Sequence, residues 1–510
     1  MTFINPKSPS AVLFLTDGYK LDHRRQYPEG TEIVYSNFTN RGSRIPGVEH
    51  VVHFGLQAFI RDVLMDGFAN FFNATEDEVA EDYERKLAAF LGPNDIGSDH
   101  VRALHRLGYV PMRFKAVDEG TPVPLRVPSF TMQNTHPDFF WVTNYIETVL
   151  SSYVWHPSTS ATQAWYFRRS LENYADQTAP GTDVSFLAHD FSFRGMEGPE
   201  AAAASGAGHL LSFTGSDSLA AIDWIDYFYP SEEEGGNGFV AGGVPATEHS
   251  VMMAGIAYSD EEETNRRLMT EVYPTGLVSI VSDTKDFWAF LTEILPNLKD
   301  EVMGRDGKVV IRPDSGNPIE IIAGTVPSVG LLGKGTPEQR GAMEVLWDLF
   351  GGTTNSAGYK VLDPHIGLIY GDSITREVSE RINALLKSKG FASINWVSGI
   401  GSFTYQYVTR DTFASAIKAT WVRIKGEGYS ISKAPKTDNG TKNSAKGLLQ
   451  VAYGSDGDLI LNEDVTPEVE QTGELKVIWE DGQFVRFQSL ADVRQTLLDH
   501  TERLRRIGKI

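Results

Sequence analysis

The stretch V-V-I-R-P-D-S-G-N-P, residues 309–318, decides how the chain is read. Lys308 leads into Val309, Val310 and Ile311, a short β-branched run with the character of a buried strand. The run stops in Arg312-Pro313-Asp314-Ser315-Gly316-Asn317-Pro318, where two prolines and a glycine forbid further ladder pairing. A cation and a carboxylate two residues apart are thereby held on a stiff turn at the mouth of a strand. In α/β folds that mouth is where ligands gather. The guanidinium fork of Arg312 suits a phosphate, and the carboxylate of Asp314 suits paired hydroxyls or a developing positive charge. A plain Arg–Asp bridge across a turn would use the same residues, so the rest of the chain decides between the two.

Other short apolar runs end in the same way. Residues 184–187, 277–282, 308–311 and 366–370 read as strands. They lead into loops holding Asp190 and Arg194, then Asp283, then Arg312 and Asp314, and finally Asp372. Helical patterns at 200–211, 285–295, 337–350 and 374–389 alternate with them. Charged residues that recur at strand C-termini mark a barrel-like α/β domain, expected over residues 158–394. Before it, 33–38 alternates as a half-buried strand, and 52–72 and 76–91 read as helices, the second capped by Thr75. Residues 112–133, punctuated by Gly120, Pro122, Pro124 and Pro128, read as antiparallel strands. A strongly apolar helix at 139–153 and another helix at 160–174, carrying Arg168 and Arg169, flank a boundary at Pro157. After Trp396 the pattern is β-rich again, at 420–425, 448–453 and 477–479, before an amphipathic helix at 490–506. A basic, glycine-punctuated stretch there carries Lys418, Lys425, Lys433, Lys436, Lys442 and Lys446, either a solvated loop or a polyphosphate receptor. Residues 1–157 and 395–510 are expected to pack together as one discontinuous, β-rich α+β domain outside the barrel.

Composition narrows the function. A net charge of -21 over 510 residues disfavours a nucleic-acid partner, while leaving room for small phosphorylated ligands at local Arg and Lys clusters. With 0 cysteines, disulfides, thiolate metal sites and Cys nucleophiles are excluded. The first residues lack the apolar core of a signal peptide, and no run is long and apolar enough to span a bilayer. The expectation is a soluble cytoplasmic protein without a membrane partner. Neither H-E-x-x-H nor G-x-x-x-x-G-K-[ST] occurs. G-I-G-S-F-T at 399–404 lacks the third glycine of a dinucleotide loop. Its small residues still let backbone N–H groups approach a phosphate, which Arg410 could also hold.

The motifs then accumulate in one order. They are T-D-G-Y-K from Thr16, Q-Y-P from Gln26, H-D-F-S-F-R-G from His189 and G-S-D-S from Gly215. V-P-A-T-E-H-S from Val244, V-S-D from Val281, I-R-P-D-S-G-N-P from Ile311, G-D-S from Gly371 and V-T-R-D from Val408 follow. In these, along most of its length, the chain resembles the nicotinamide phosphoribosyltransferase family, which joins nicotinamide to 5-phosphoribosyl 1-diphosphate. The resemblance implies a type II phosphoribosyltransferase fold, an irregular α/β barrel with an outer β-rich domain. It also implies a homodimer whose active sites lie at the subunit interface.

Residue by residue, the resemblance implies that Phe191 stacks one face of the pyridine ring and the partner subunit's Tyr19 the other, with Asp17 close by. Asp217 would accept a hydrogen bond from the carboxamide N–H2, which suits an amide and repels nicotinate. Arg194, Arg312 and His249 would face the diphosphate. Asp314 would bind the ribose hydroxyls, with Asp283 near it and Gly371 and Asp372 lining the pocket. Gly401, Ser402 and Arg410 resemble the 5′-phosphate site, although Ser402 stands where a glycine is expected. Arg41, Lys418, Lys433 and Lys442 resemble the cations that reach a neighbouring subunit's polyphosphate. His249 resembles the histidine that ATP phosphorylates, with Glu248, or equally an acidic group from another strand, a candidate to orient it, and Mg2+ would enter with the diphosphate near Asp283 and Asp314. On their own, a single Phe or Tyr is more often core and a single His more often structural. Two alternatives stay open: a nicotinate phosphoribosyltransferase on the same fold, opposed by Asp217, and a non-catalytic nucleotide-binding relative, opposed by the joint presence of His249, Arg312, Asp314 and Asp217.

Overall fold

The computed structural model describes residues 7–233, 235–325, 335–371, 373–433, 437 and 443–510. They form two compact units, one made of Gln163–Asp223 and Gly238–Tyr407, the other of Met1–Thr162, Trp224–Asn237 and Val408–Ile510.

The first of these units is built on six strands in the spatial order Gly215–Ser216, Ala188–Asp190, Trp396–Ile400, Ile366–Tyr370, Asp306–Arg312 and Thr275–Val281. Every neighbouring pair is parallel. Parallel strands are covered on both faces, which is why they read as continuous apolar runs. Val278, Ile280, Val309, Ile311, Ile366, Leu368 and Ile400 accordingly share one buried core. One short segment bridges both edges of the sheet, for Gly242 pairs with Gly215 and Ala246 with Ser279, each in parallel. Gly242 N donates to Thr214 O (2.6 Å), and Ser279 N to Pro245 O (2.8 Å). Two glycines and a proline prevent that segment from forming a regular ladder. The result is the α/β class expected from the sequence: a parallel sheet curled into an irregular barrel and closed by single bridges.

The other unit holds a seven-stranded sheet in which Thr31–Asn40 pairs antiparallel with Ser415–Ile424 on one side and with the central strand, Pro128–Asn134, on the other. Met112–Ala116 and Lys476–Glu480 extend it, so both ends of the chain interleave in one sheet. Phe59, Phe114, Phe130 and Trp479 anchor its core. The helix Glu76–Leu91 begins with the expected Thr75 cap, reciprocated by Glu78. Among the described residues no helix is long and apolar enough to cross a membrane.

The boundaries differ from those expected at 157/158 and 394/395. Pro157 does not end a helix: Glu147–Thr178 runs through it. Ser158 Oγ donates to Val52 O (2.6 Å) and Thr162 Oγ1 accepts from Val52 N (2.9 Å), so packing holds the helix across a residue that lacks an N–H. Trp396–Ile400 lies inside the barrel sheet, which carries the unit on to Tyr407. Residues 184–187 are not a strand, because Asp183 Oδ1 accepts from Ser185 N (2.9 Å) and turns the chain there; the strand is Ala188–Asp190. The helix expected at 337–350 is two, Pro337–Arg340 and Ala342–Phe350, split at Gly341 (φ +84°).

Candidate active site

Because the barrel strands are all parallel, their C-terminal ends share one rim. Phe191 follows Ala188–Asp190, Asp217 follows Gly215–Ser216, and Asp283 comes just after Thr275–Val281. Arg312 ends its own strand with Asp314 two residues on, Gly371 follows Ile366–Tyr370, and Gly401 and Ser402 follow Trp396–Ile400. His249 opens the helix His249–Tyr258 after the segment that closes the barrel.

The turn at 313–316 is held from both neighbouring strands. Asp283 Oδ2 accepts from Asp314 N (3.0 Å) and Ser315 Oγ (2.5 Å). On the other side Tyr370 Oη donates to Gly316 O (2.8 Å) and Gly371 N to Pro313 O (3.1 Å). At Gly371 a β-carbon would stand 2.7 Å from Asp314 Oδ1, so a side chain there would displace that carboxylate. Asp283 is buried, and its Oδ1 has no hydrogen-bond partner among the described residues. Arg312 donates through Nη2 to Thr247 O, while its buried Nε is likewise unpartnered. Burial pushes the Arg312 pKa below the ordinary arginine value. The carboxylates of Asp314, Asp217 and Asp283 oppose that shift, and Arg194 adds to it. A half-buried guanidinium with a spare donor, ringed by carboxylates and a second arginine, is built to meet an anion.

His249 sits at the edge of this turn with its side chain 44% exposed. Its Nδ1 lies 3.2 Å from Thr284 Oγ1, and its Nε2 lies 3.8 Å from Asp283 Oδ1 and 4.0 Å from Asp314 Oδ2. Glu248, read from sequence as a candidate to orient it, pairs instead with the Ser250 hydroxyl. The acidic groups near His249 come from other strand ends, and Thr284 was not singled out because nothing adjacent in sequence points to it.

Across the rim, Asp217 is exposed and its Oδ1 accepts from His189 Nε2 at 2.8 Å. The His189 ring lies 4.5 Å from that of half-buried Phe191, tilted by 33°. Ser402 Oγ lies against the Arg194-Gly195 loop, close enough that a β-carbon on Gly195 would stand 2.3 Å from it.

The remaining predicted residues belong to the other unit. Tyr19 is 65% exposed, and its hydroxyl donates to Asp17 Oδ2 (3.3 Å), which also accepts from Thr148 Oγ1 (2.7 Å). Arg41 and Lys418 line a cavity of about 160 Å³ together with Arg126. Burial lowers the Lys418 pKa; Glu147 opposes this, and Arg41, Lys433 and Lys20 reinforce it. Arg410 is exposed and pairs with Asp411 (3.1 Å). Asp372 and Lys442 lie outside the described residues.

Comparison with known proteins gives the family. Residues 186–474 match the model of the nicotinate phosphoribosyltransferase (NAPRTase) family, and residues 11–83 match the nicotinamide phosphoribosyltransferase N-terminal domain. A nicotinamide phosphoribosyltransferase of Acinetobacter baylyi is 47% identical over 95% of this chain and 97% of its own length. One from Mycoplasma pneumoniae is 34% identical over 87% of this chain and 97% of its own. Among solved structures, nicotinate-nucleotide pyrophosphorylase from Pyrococcus furiosus covers 99% of this chain and 98% of its own, with a TM-score of 0.59 at 14% identity. Human nicotinic acid phosphoribosyltransferase covers 96% and 94%, with a TM-score of 0.52 at 15% identity. These two carry the type II phosphoribosyltransferase fold. By the family model and by relatives at this identity and coverage, the chain belongs to the nicotinate phosphoribosyltransferase (NAPRTase) family, alongside members named nicotinamide phosphoribosyltransferase.

Proposed function

We propose that the chain is a nicotinamide phosphoribosyltransferase, a pentosyltransferase of NAD salvage. It would form nicotinamide mononucleotide and diphosphate from nicotinamide and 5-phosphoribosyl 1-diphosphate. The observation that carries this is the barrel rim, where half-buried Arg312 and pinned Asp314 at one strand end share the rim with exposed Asp217 at another.

The pyridine nitrogen of nicotinamide attacks the anomeric carbon while the bond from that carbon to the diphosphate oxygen breaks. Diphosphate leaves with the electron pair, and the positive charge ends on the pyridinium. The ring nitrogen bears no proton, so no general base is needed. Arg312 and Arg194 stabilise the charge that grows on the leaving group. Asp314 accepts from the ribose hydroxyls and faces the oxocarbenium-like centre. Phe191 holds the ring for attack, and Asp217 accepts from the carboxamide N–H2 while repelling a carboxylate. That last contact disfavours the nicotinate alternative.

Among the described residues no group of three or more acidic or histidine side chains is arranged to hold a metal. Asp283, with its buried unpartnered Oδ1, and Asp314 fit a Mg2+ ion whose other ligands arrive with the diphosphate. Bound there, the ion would neutralise diphosphate charge. His249 is the proposed acceptor of the ATP γ-phosphoryl group, supported by its exposure and its place beside Asp314. Exposed Tyr19 and the Arg41–Lys418–Lys433 cluster support a homodimer in which each subunit completes its partner's site.

Purified protein given nicotinamide, 5-phosphoribosyl 1-diphosphate and Mg2+ should release mononucleotide and diphosphate in equal amounts, and Asp314→Ala should lose about hundredfold or more in kcat/KM. A normal rate in Asp314→Ala would sink the site. Label from γ-labelled ATP should be retained by the wild type and lost in His249→Ala; equal retention would remove His249 from that role. Mixing inactive Tyr19→Ala and Asp314→Ala subunits should restore activity if sites are shared, and no recovery after confirmed subunit exchange would argue against sharing.

A further inference from the structure

His189 stands between the two halves of the pyridine site and has no role in the chemistry above. It lies on the Ala188–Asp190 strand, and its imidazole is 5% exposed. One ring edge places Nε2 2.8 Å from Asp217 Oδ1. A carboxylate oxygen has no proton to donate, so a hydrogen bond of that length puts the proton on Nε2. One ring face lies on Phe191. The Nδ1 edge rests against the neighbouring strand at Gly215, where a β-carbon would stand 2.8 Å from it. The imidazole is therefore fixed on three sides.

Asp217 is not. Its side chain is half-exposed, and its backbone N donates to Asp190 O (2.9 Å) without constraining the carboxylate. Among the described residues His189 is the sole hydrogen-bond donor to that carboxylate. A half-exposed Asp with one donor takes its orientation from that donor. With Oδ1 occupied, Oδ2 is the oxygen left to accept from a ligand.

We propose that His189 is the positioning residue that sets amide-over-acid selectivity, its Nε2–H fixing Asp217 so that Oδ2 meets the carboxamide N–H2 while its ring supports Phe191. This rests on the reading of the rim as a nicotinamide site. It adds that selectivity depends on a residue that does not touch the amide. Without the Nε2 donor, Asp217 is free to rotate, and both the attraction for the amide and the fixed repulsion of the acid weaken.

The test compares kcat/KM for nicotinamide and for nicotinate in the wild type, His189→Phe and His189→Gln. Phe keeps an aromatic ring against Phe191 and removes the donor; Gln loses the ring and returns an N–H near Nε2. In His189→Phe the nicotinamide-to-nicotinate ratio should fall about tenfold or more, through a higher KM for nicotinamide, with the KM for 5-phosphoribosyl 1-diphosphate unchanged. His189→Gln should stay within about threefold of the wild-type ratio. A wild-type ratio in His189→Phe, or an equal loss in both variants, overturns the proposal and leaves the nicotinamide reading standing. A wild type with no turnover of nicotinamide overturns both. Should His189→Phe fail to fold, 15N spectra of histidine-labelled wild type decide, the His189 signal being assigned by its loss in His189→Gln. The Nε2–H tautomer is expected, and the Nδ1–H tautomer contradicts the proposal.

Discussion

Asp283 shows what a single residue can do that its neighbours in sequence do not disclose. One oxygen holds the Asp314 amide and the Ser315 hydroxyl, and the other faces His249 from within a buried setting. Asp283→Ala removes an acceptor from two groups at once, and leaving such groups unmet costs about 1–3 kcal/mol. Urea unfolding should show a loss of that size, together with a higher KM for 5-phosphoribosyl 1-diphosphate. Unchanged stability would mean that water replaces the carboxylate without cost. At this scale Arg312 and Asp314 were legible, because two prolines and a glycine announce a stiff turn. Thr284 was not: its contact with His249 spans 35 residues and exists only once two segments meet at the rim. Of the two sources open for an acidic neighbour of His249, Glu248 beside it in sequence or another strand, the second holds, since Asp283 and Asp314 approach it and the Glu248 carboxylate turns to Ser250.

At the scale of elements, strand identity was legible and element ends were not. Val309 and Ile311 betray a buried strand by composition alone, but a proline does not end a helix when a neighbouring strand holds the turn that follows it. Pro157 lies inside Glu147–Thr178 for that reason. The reverse holds at Gly341, whose left-handed backbone splits a run that reads as one helix. A β-carbon there would stand 2.3 Å from Gly324 N, so Gly341→Ala meets both backbone strain and a clash. Its unfolding free energy should drop by about 1–3 kcal/mol, with a lower Tm in calorimetry. An unchanged Tm would show that the Gly324 turn yields freely. Trp396–Ile400 was assigned to the outer domain because a five-residue apolar strand reads alike in parallel and antiparallel sheets.

For the molecule as a whole, the α/β class and the discontinuous antiparallel sheet followed from where patterning changes along the chain. Two buried histidines of the antiparallel unit contribute to its acid response. Burial lowers the pKa of His53 to about 3, and that of His100, with Arg24 reinforcing the shift, to about 4. Both are uncharged in the fold, while the unfolded chain takes up their protons below an ordinary histidine value of 6.5. Between about pH 6.5 and 4 the unfolded state therefore binds more protons, and stability falls as pH falls. Unfolding curves across that range should flatten in His53→Leu, and an unaltered slope would remove His53 from the account. The central claim is narrower: the rim transfers phosphoribosyl to nicotinamide and discriminates against the acid. The most direct measurement gives the protein equal nicotinamide and nicotinate in one reaction with 5-phosphoribosyl 1-diphosphate and Mg2+, and quantifies both mononucleotides by mass spectrometry. The account predicts nicotinamide mononucleotide in large excess; equal yields, or nicotinate mononucleotide in excess, would contradict it.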